Sequence, residues 1–175
     1  LLYEFNDTHA EFPRDKTIHR LIEEQVARTP DYAALVYNDQ RMSYQEMDRR
    51  ANRLARYLSE EKRVGIGEPV GVWMSQPVYR QVALMAIIKA GGAFVPMDPT
   101  LPAERIQYII DDARIGVVIS EKYHLRDLNR LQWECVTFHS YLCIDSVDIQ
   151  AEEEQEINQL MDRELWQHVG ESATD

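Results

Sequence analysis

Residues 89–105, KAGGAFVPMDPTLPAER, place two adjacent glycines and three prolines between two apolar runs. Two glycines directly after an apolar run are typical of a helix end, because glycine readily adopts the positive φ that often follows a helix. The apolar residues 93–96 then predict a short strand, and Thr100 with Pro102 predicts the start of a second helix. The stretch is therefore explained as helix, strand and helix joined by tight turns, and it is not a candidate phosphate-binding loop.

The same alternation continues on both sides of this stretch. Residues 70–74 predict a buried strand, and the helix after it begins near Pro77. Residues 115–119 predict a third strand, which is followed by a short helix over residues 121–131 and by one or two strands within residues 135–144. Continuously apolar strands that alternate with helices indicate a parallel sheet covered on both faces. The predicted fold class is therefore α/β, a partial doubly wound parallel sheet with flanking helices.

The residues before this sheet predict a helix and a hairpin. Thr17 is a candidate N-cap for a helix that ends at Thr29, because the residue before Pro30 disfavours helical backbone. Residues 33–37 and 41–42 predict the two strands of a small hairpin.

A second helix follows the hairpin. Ser43 and Glu46 have the spacing of a capping box, in which each side chain accepts a hydrogen bond from the other residue's amide. The helix that they open carries an apolar stripe of Met47, Ala51, Leu54, Ala55 and Leu58.

The charge of the chain argues against several classes of partner. The 175 residues carry a formal net charge of −11, whereas nucleic-acid binding needs a basic face. No apolar run approaches the length of a bilayer span. We therefore predict no nucleic-acid partner and no membrane partner. Nine acids and one arginine lie within residues 146–175, so this segment alone contributes −8 of the −11.

Two cysteines are too few for a disulfide framework. Cys135 and Cys143 are interpreted as buried, unreactive thiols in a reducing cytosol. The sequence begins without methionine and shows no signal-peptide pattern, so we expect a cytoplasmic segment of a longer polypeptide.

The acidic segment also has a distinct pattern. Residues 151–169 predict an amphipathic helix. Its apolar stripe comprises Ile157, Leu160, Met161, Leu165, Trp166 and Val169. The chain is thus divided into a linker or arm over residues 1–16, an α/β body over residues 17–145, and an acidic helical extension over residues 146–175.

No motif assigns a catalytic, cofactor-binding or metal-ligating residue. Residues 65–71, GIGEPVG, superficially resemble a dinucleotide-binding loop, but they precede a strand, so no helix N-terminus would face a phosphate there. The sequence contains neither a P-loop motif nor a Gly-x-Ser-x-Gly nucleophile motif. No metal-ligand spacing is found among the histidines, which are His9, His19, His124, His139 and His168.

Four ordered stretches resemble the adenylation domains of nonribosomal peptide synthetases. They are residues 5–8 with 12–19 (FNDT, FPRDKTIH), 23–31 (EEQVARTPD), 42–55 (MSYQEMDRRANRLA) and 88–99 with 102–105 (IKAGGAFVPMDP, PAER). The resemblance runs in register from about residue 1 to residue 120. By this resemblance the chain is identified as the N-terminal portion of an AMP-forming, ANL-type adenylation domain.

The resemblance implies an amino-acid-activating ligase that uses ATP and Mg. Such a domain converts an amino acid to an aminoacyl-adenylate, releases pyrophosphate, and passes the acyl group to the phosphopantetheine thiol of a carrier domain. The implied partners are condensation and carrier domains of the same assembly line, the remainder of the adenylation domain and the amino-acid substrate. Residues 1–16 would be the arm from a preceding condensation domain.

The sequence departs from the family pattern after Ser120. The Ser/Thr/Gly-rich phosphate loop that is expected next is absent, as are the adenine-binding motifs, the substrate-selecting pocket and the catalytic lysine. No site residue is therefore carried over, and we expect the 175 residues alone to be inactive. The change in composition at residues 146–175 predicts the start of an inserted tailoring domain, such as a methyltransferase that uses S-adenosylmethionine.

Two alternatives stay open at this point. The chain could be a noncatalytic interaction module that docks a partner through residues 151–169. It could also be a small flavodoxin-like nucleotide-binding protein, which is less favoured because its strands lack a glycine-rich exit loop.

Overall fold

The computed structural model of the protein describes residues 10–145. Its N-terminal part is a helix, α1 (Ile18–Arg28), followed by a hairpin of β1 (Ala33–Tyr37) and antiparallel β2 (Gln40–Ser43). A long helix, α2 (Tyr44–Glu60), comes next. These bounds confirm the predicted helix, hairpin and second helix. The predictions for residues 151–169, both the amphipathic helix and its docking role, lie outside the described residues.

Three strand–helix units and a final strand make up the rest of the described chain. They are β3 (Pro69–Trp73), α3 (Pro77–Lys89), β4 (Ala93–Met97), α4 (Ala103–Asp112), β5 (Val117–Ser120), a 3-10 turn (Lys122–His124), α5 (Leu125–Glu134) and β6 (Ser140–Cys143). The four strands form one parallel sheet in the order β4-β3-β5-β6. The predicted α/β class and parallel sheet are confirmed.

The strand order makes the sheet doubly wound. From β3 the chain crosses to β4 on one side, and it then returns past β3 to place β5 on the other side. Because such crossovers are right-handed, α3 lies on one face of the sheet and α4 with α5 on the opposite face. Two apolar cores are consistent with this placement of the helices. One joins α2 and α3 to the sheet, and the other joins α4 and α5 to its opposite face.

The glycine pair that follows Lys89 ends α3 as the sequence predicts. The amide of Gly91 donates to the carbonyl of Ile88 at 3.0 Å, and the amide of Gly92 donates to that of Ile87 at 2.9 Å. These two bonds form a Schellman motif, which requires a left-handed residue in the first position after the cap. Gly91 supplies it with a φ of 87°.

The turn after β4 differs in detail from its prediction. Thr100 does not cap α4, because its amide and its hydroxyl both donate to the Asp98 carboxylate, at 2.9 and 2.8 Å. Both hydrogen bonds lower the pKa of Asp98, and the one from the backbone amide has the larger effect. The helix begins at Ala103, with Pro102 at the cap position. Thr100 therefore stabilises the turn, and Pro102 marks the start of the helix.

The capping box of α2 is half formed. The amide of Glu46 donates to the hydroxyl of Ser43 at 3.2 Å, as predicted. The Glu46 carboxylate pairs with Arg49 and Arg50 instead of accepting from the Ser43 amide. Charged partners one turn along the helix outcompete a neutral amide for that carboxylate.

Lys89, the first residue of the opening stretch, ties three helices together. Its amine contacts the carboxylates of Glu23 on α1 and Asp48 on α2, the latter at 3.0 Å, and its side chain is only 7% exposed. Burial alone would lower the pKa of Lys89, but the two carboxylates outweigh burial and raise it. A buried amine needs such partners, because an unpaired charge in this position would be strongly destabilising.

We expect Gly91→Ala to lower the free energy of unfolding by about 1–2 kcal/mol, because alanine is strained in the left-handed region. Added bulk is not the cause, since a Cβ on Gly91 would come no closer than 3.5 Å to Ile66. The measurement is urea unfolding at equilibrium. Gly65→Ala is the matched control, because a Cβ there meets nothing nearer than 4.0 Å and the φ is not left-handed. Equal unfolding midpoints for the two variants would contradict the assignment.

Candidate functional site

The candidate functional site is the edge of the sheet where β3 and β5 end. In open parallel sheets, ligands bind outside the carboxyl ends of the strands, at the point where the strand order reverses. Here that point lies between β3 and β5, which are neighbours while their crossovers lead in opposite directions. Polar residues follow both strands: Ser75 and Gln76 precede α3, and Glu121 follows Ser120.

Glu121 occupies the N-terminus of α3. Its carboxylate accepts a hydrogen bond from the amide of Gln76, the N-cap residue of that helix, at 2.6 Å. Glu121 is 5% exposed. A helix N-terminus carries a partial positive charge and free amides, and it is therefore a common place for a phosphate. In this protein a side-chain carboxylate lies at this end of the helix, on the amide of the N-cap residue.

The residues beside Glu121 connect the ends of all three neighbouring strands. The hydroxyl of Ser120 donates to the carbonyl of Trp73 at the end of β3, at 2.7 Å. The amide of Lys122 donates to the carboxylate of Asp145 just past β6, at 2.8 Å. We call Trp73, Gln76, Ser120, Glu121, Lys122 and Asp145 the carboxyl-edge network. It holds the strand ends in fixed relative positions, and it contains no nucleophile paired with a base.

His124 closes the network from the α5 side of the sheet. Its ring stacks on Trp73 with centroids 4.1 Å apart and planes 19° from parallel. Burial lowers the pKa of His124, although Glu121, Asp127 and Asp145 act in the opposite direction. The ring is 3% exposed, and its Nε2 has no hydrogen-bond partner. The neutral imidazole is therefore the form that the fold favours.

The sequence pattern of the family described as "AMP-binding enzyme" matches residues 22–173. This is most of the chain. The chain belongs to the AMP-binding enzyme family.

Similar proteins include multienzyme synthases. The chain is 46% identical over 124 residues to a mycosubtilin synthase polypeptide of Bacillus subtilis, a match that covers 71% of the chain and 5% of the relative. It is 40% identical over 132 residues to gramicidin S synthase 1 of Brevibacillus brevis, a match that covers 75% of the chain and 12% of the relative. The chain thus spans only a small part of these relatives.

A solved structure also shares the fold. The nonribosomal peptide synthetase FmoA3, in its AMPPNP-bound form, superposes with a TM-score of 0.66 at 31% sequence identity. The match covers 85% of this chain and 15% of that chain.

The carboxyl-edge network was not assigned as a site from the sequence. No motif marks it, because its members come from three strand ends that are distant in sequence and its bonds include backbone groups. The signal that could have found it is the placement of polar residues directly after two buried strands, Ser75 and Gln76 after one and Ser120 and Glu121 after the other.

The glycine-rich residues 65–71 lie at the opposite edge of the sheet. Gly67 adopts a φ of 77° in the turn before β3, and its amide donates to the carbonyl of Gly91 at 2.8 Å. Gly71 lies within β3, where a Cβ would meet the Cε of Met97 at 2.8 Å. Gly67 therefore serves a turn and Gly71 serves close packing, in line with the structural interpretation of this run.

The thiols and histidines that the structure describes have packing roles or surface positions. Burial raises the pKa of Cys135 to about 11 and that of Cys143 to about 12, which makes both poor nucleophiles. Neither cysteine forms a disulfide; Cys135 is buried as predicted, whereas Cys143 is only half-buried. Within residues 10–145 no group of three or more His, Cys, Asp and Glu side chains has the arrangement of a metal site.

We expect the buried His124 to make stability depend on pH. The unfolded chain protonates this residue near its ordinary pKa of 6.5, whereas the folded protein protonates it only at lower pH. Between these values the unfolded state binds more protons, so stability falls as the pH drops below about 6.5. Urea unfolding between pH 5 and 8, measured on the wild type and on His124→Phe, reports this dependence. The variant keeps an aromatic ring against Trp73 but cannot titrate, so its stability should change less over that range. Parallel pH profiles would show that His124 does not carry the effect.

Proposed function

We propose that the chain is part of an amino-acid-activating adenylation domain of a nonribosomal peptide synthetase. In this reaction ATP and an amino acid give an aminoacyl-adenylate and pyrophosphate. The acyl group then passes to the phosphopantetheine thiol of a carrier domain, and AMP is released. The observation that carries the proposal is the 46% identity to the mycosubtilin synthase polypeptide over 124 residues, within a chain that matches the AMP-binding family.

The described residues support a structural role in this activity. They build a four-stranded parallel sheet whose carboxyl edge faces the region where such folds bind nucleotides. At the N-terminus of α3 the Glu121 carboxylate already accepts a hydrogen bond from the amide of the N-cap residue Gln76. Within residues 10–145 no group of three or more His, Cys, Asp and Glu side chains has the arrangement of a metal site, and no residue of this range is proposed as a Mg ligand.

The proposed partners are parts of the same assembly line. They are condensation and carrier domains, the rest of the adenylation domain and the amino-acid substrate. Residues 1–16 are proposed as the arm from the condensation domain. A cytoplasmic location is proposed because two cysteines are too few for the disulfide frameworks that are typical of oxidising compartments. Within residues 10–145 no helix is long and apolar enough to cross a bilayer.

We expect the intact synthetase that contains this chain to exchange labelled pyrophosphate into ATP in the presence of one or a few amino acids. The assay measures reversal of aminoacyl-adenylate formation across a panel of amino acids. The 175-residue chain alone should give no exchange above background, because its sequence lacks a phosphate loop. Robust exchange by the 175 residues would contradict the expectation that they are inactive without the rest of the synthetase. An intact protein without exchange on any amino acid would overturn the proposed function.

We also propose that residues 146–175 lead into an inserted tailoring domain, such as a methyltransferase that uses S-adenosylmethionine. The support is the change in charge, since this segment carries −8 of the net −11. The match of the family pattern as far as residue 173 weighs against an insertion that starts at Ala151. The competing interpretation is that this segment is a variable part of the adenylation domain itself.

We expect the parent gene to encode a methyltransferase-like region between residue 175 and the next adenylation motif. Sequencing the gene through that point is the measurement. A Ser/Thr/Gly-rich phosphate loop directly after Asp175 would eliminate the insertion and leave the adenylation proposal intact.

A further inference from the structure

The carboxyl-edge network fixes the direction in which the chain leaves β6. The amide of Ile144 donates to the carbonyl of Ser120 at 3.1 Å, which extends the pairing of β6 with β5 by one residue. The next residue, Asp145, is held by its carboxylate on the amide of Lys122. Two successive residues past β6 are therefore anchored to the turn that follows β5.

That turn is itself anchored to the centre of the sheet. Glu121 binds the amide of Gln76, and Ser120 binds the carbonyl of Trp73. Residues 120–122, which begin with the last residue of β5, thus form hydrogen bonds at the end of β3, at the start of α3 and just past β6. A displacement of this segment would move the residues after β6 relative to the point between β3 and β5 where the strand order reverses.

Burying the Glu121 carboxylate contributes little net stability to the fold. Removing a carboxylate from water is unfavourable, and its partner here is a backbone amide rather than a cationic side chain. Buried polar groups are better suited to fixing one geometry than to adding stability. The residue therefore suits a role in positioning.

The location of the network indicates what is positioned. The family binds AMP, and open α/β sheets bind ligands at this edge. The family pattern continues past Asp145 to residue 173, and Asp145 lies at the start of this continuation.

We propose that Glu121 and Asp145 are positioning residues for the nucleotide step, because together they fix the first two residues after β6 at the edge of the sheet where such folds bind their ligands. They act through the backbone and do not contact the reacting atoms. This proposal rests on the proposed adenylation function.

The test compares Asp145→Ala and Asp145→Asn in the intact synthetase, with pyrophosphate exchange measured over a range of ATP and of amino-acid concentrations. The Asp145 contact is exposed, so its loss should not prevent folding. We expect the KM for ATP to rise about tenfold in Asp145→Ala, because small displacements of binding groups are costly. The KM for the amino acid should change less than about twofold.

The conservative variants provide the second arm. Asparagine and glutamine keep an acceptor oxygen, so Asp145→Asn and Glu121→Gln should retain a KM for ATP within about threefold of wild type. Glu121→Ala should behave like Asp145→Ala. Asp48→Ala is the matched control, since it removes a carboxylate from the Lys89 cluster at the other end of α3. It should lower the unfolding midpoint without a selective change in the KM for ATP.

The outcomes separate the two proposals. An active enzyme in which Asp145→Ala leaves the KM for ATP unchanged overturns the positioning role alone. Equal losses for ATP and the amino acid, with a lowered unfolding midpoint as in Asp48→Ala, show a structural role and also overturn it. An unsubstituted enzyme without exchange overturns the adenylation function and the positioning role with it.

Discussion

The burial of β3 on both of its faces is the constraint on which the rest of the described structure depends. Val70 and Val72 face the core under α2 and α3, while Trp73 faces the core under α4 and α5. Between them, Gly71 leaves no room for a side chain, since a Cβ would meet Val118 at 3.1 Å. β3 is also internal in the sheet, with β4 on one side and β5 on the other, and the crossover helices that lead to them lie on opposite faces.

This arrangement gives the two edges of the sheet different chemistry. At the amino edge, glycine turns and the Lys89 ion cluster connect the helix ends, and the contacts there serve packing. At the carboxyl edge, the buried polar groups Ser120, Glu121 and His124 lie together. Buried polar groups are costly unless each has a partner, and the Nε2 of His124 has none. The polar groups are thus concentrated at the edge where an α/β sheet binds its ligand, while the apolar cores fill the layers on either side.

Most of the fold was predictable from the sequence because its signals are local. Apolar strands, helix periodicity and the glycine pair after Lys89 each act within a few residues, and their predictions are confirmed. The details that were wrong involve competition between partners. Glu46 had a neutral amide and two arginines within reach, and Thr100 had a helix end and the Asp98 carboxylate. Sequence spacing shows which bonds can form, but the geometry of the folded chain decides between them.

The carboxyl-edge network could not be predicted because it depends on strand order. Gln76 and Glu121 are 45 residues apart and meet only because β5 lies beside β3. The Glu121 carboxylate thus reaches the amide of the N-cap residue of the first crossover helix from a neighbouring strand, where it also lies favourably against the positive end of the helix dipole. Only the folded sheet brings this pair together, so no local sequence signal could have predicted it.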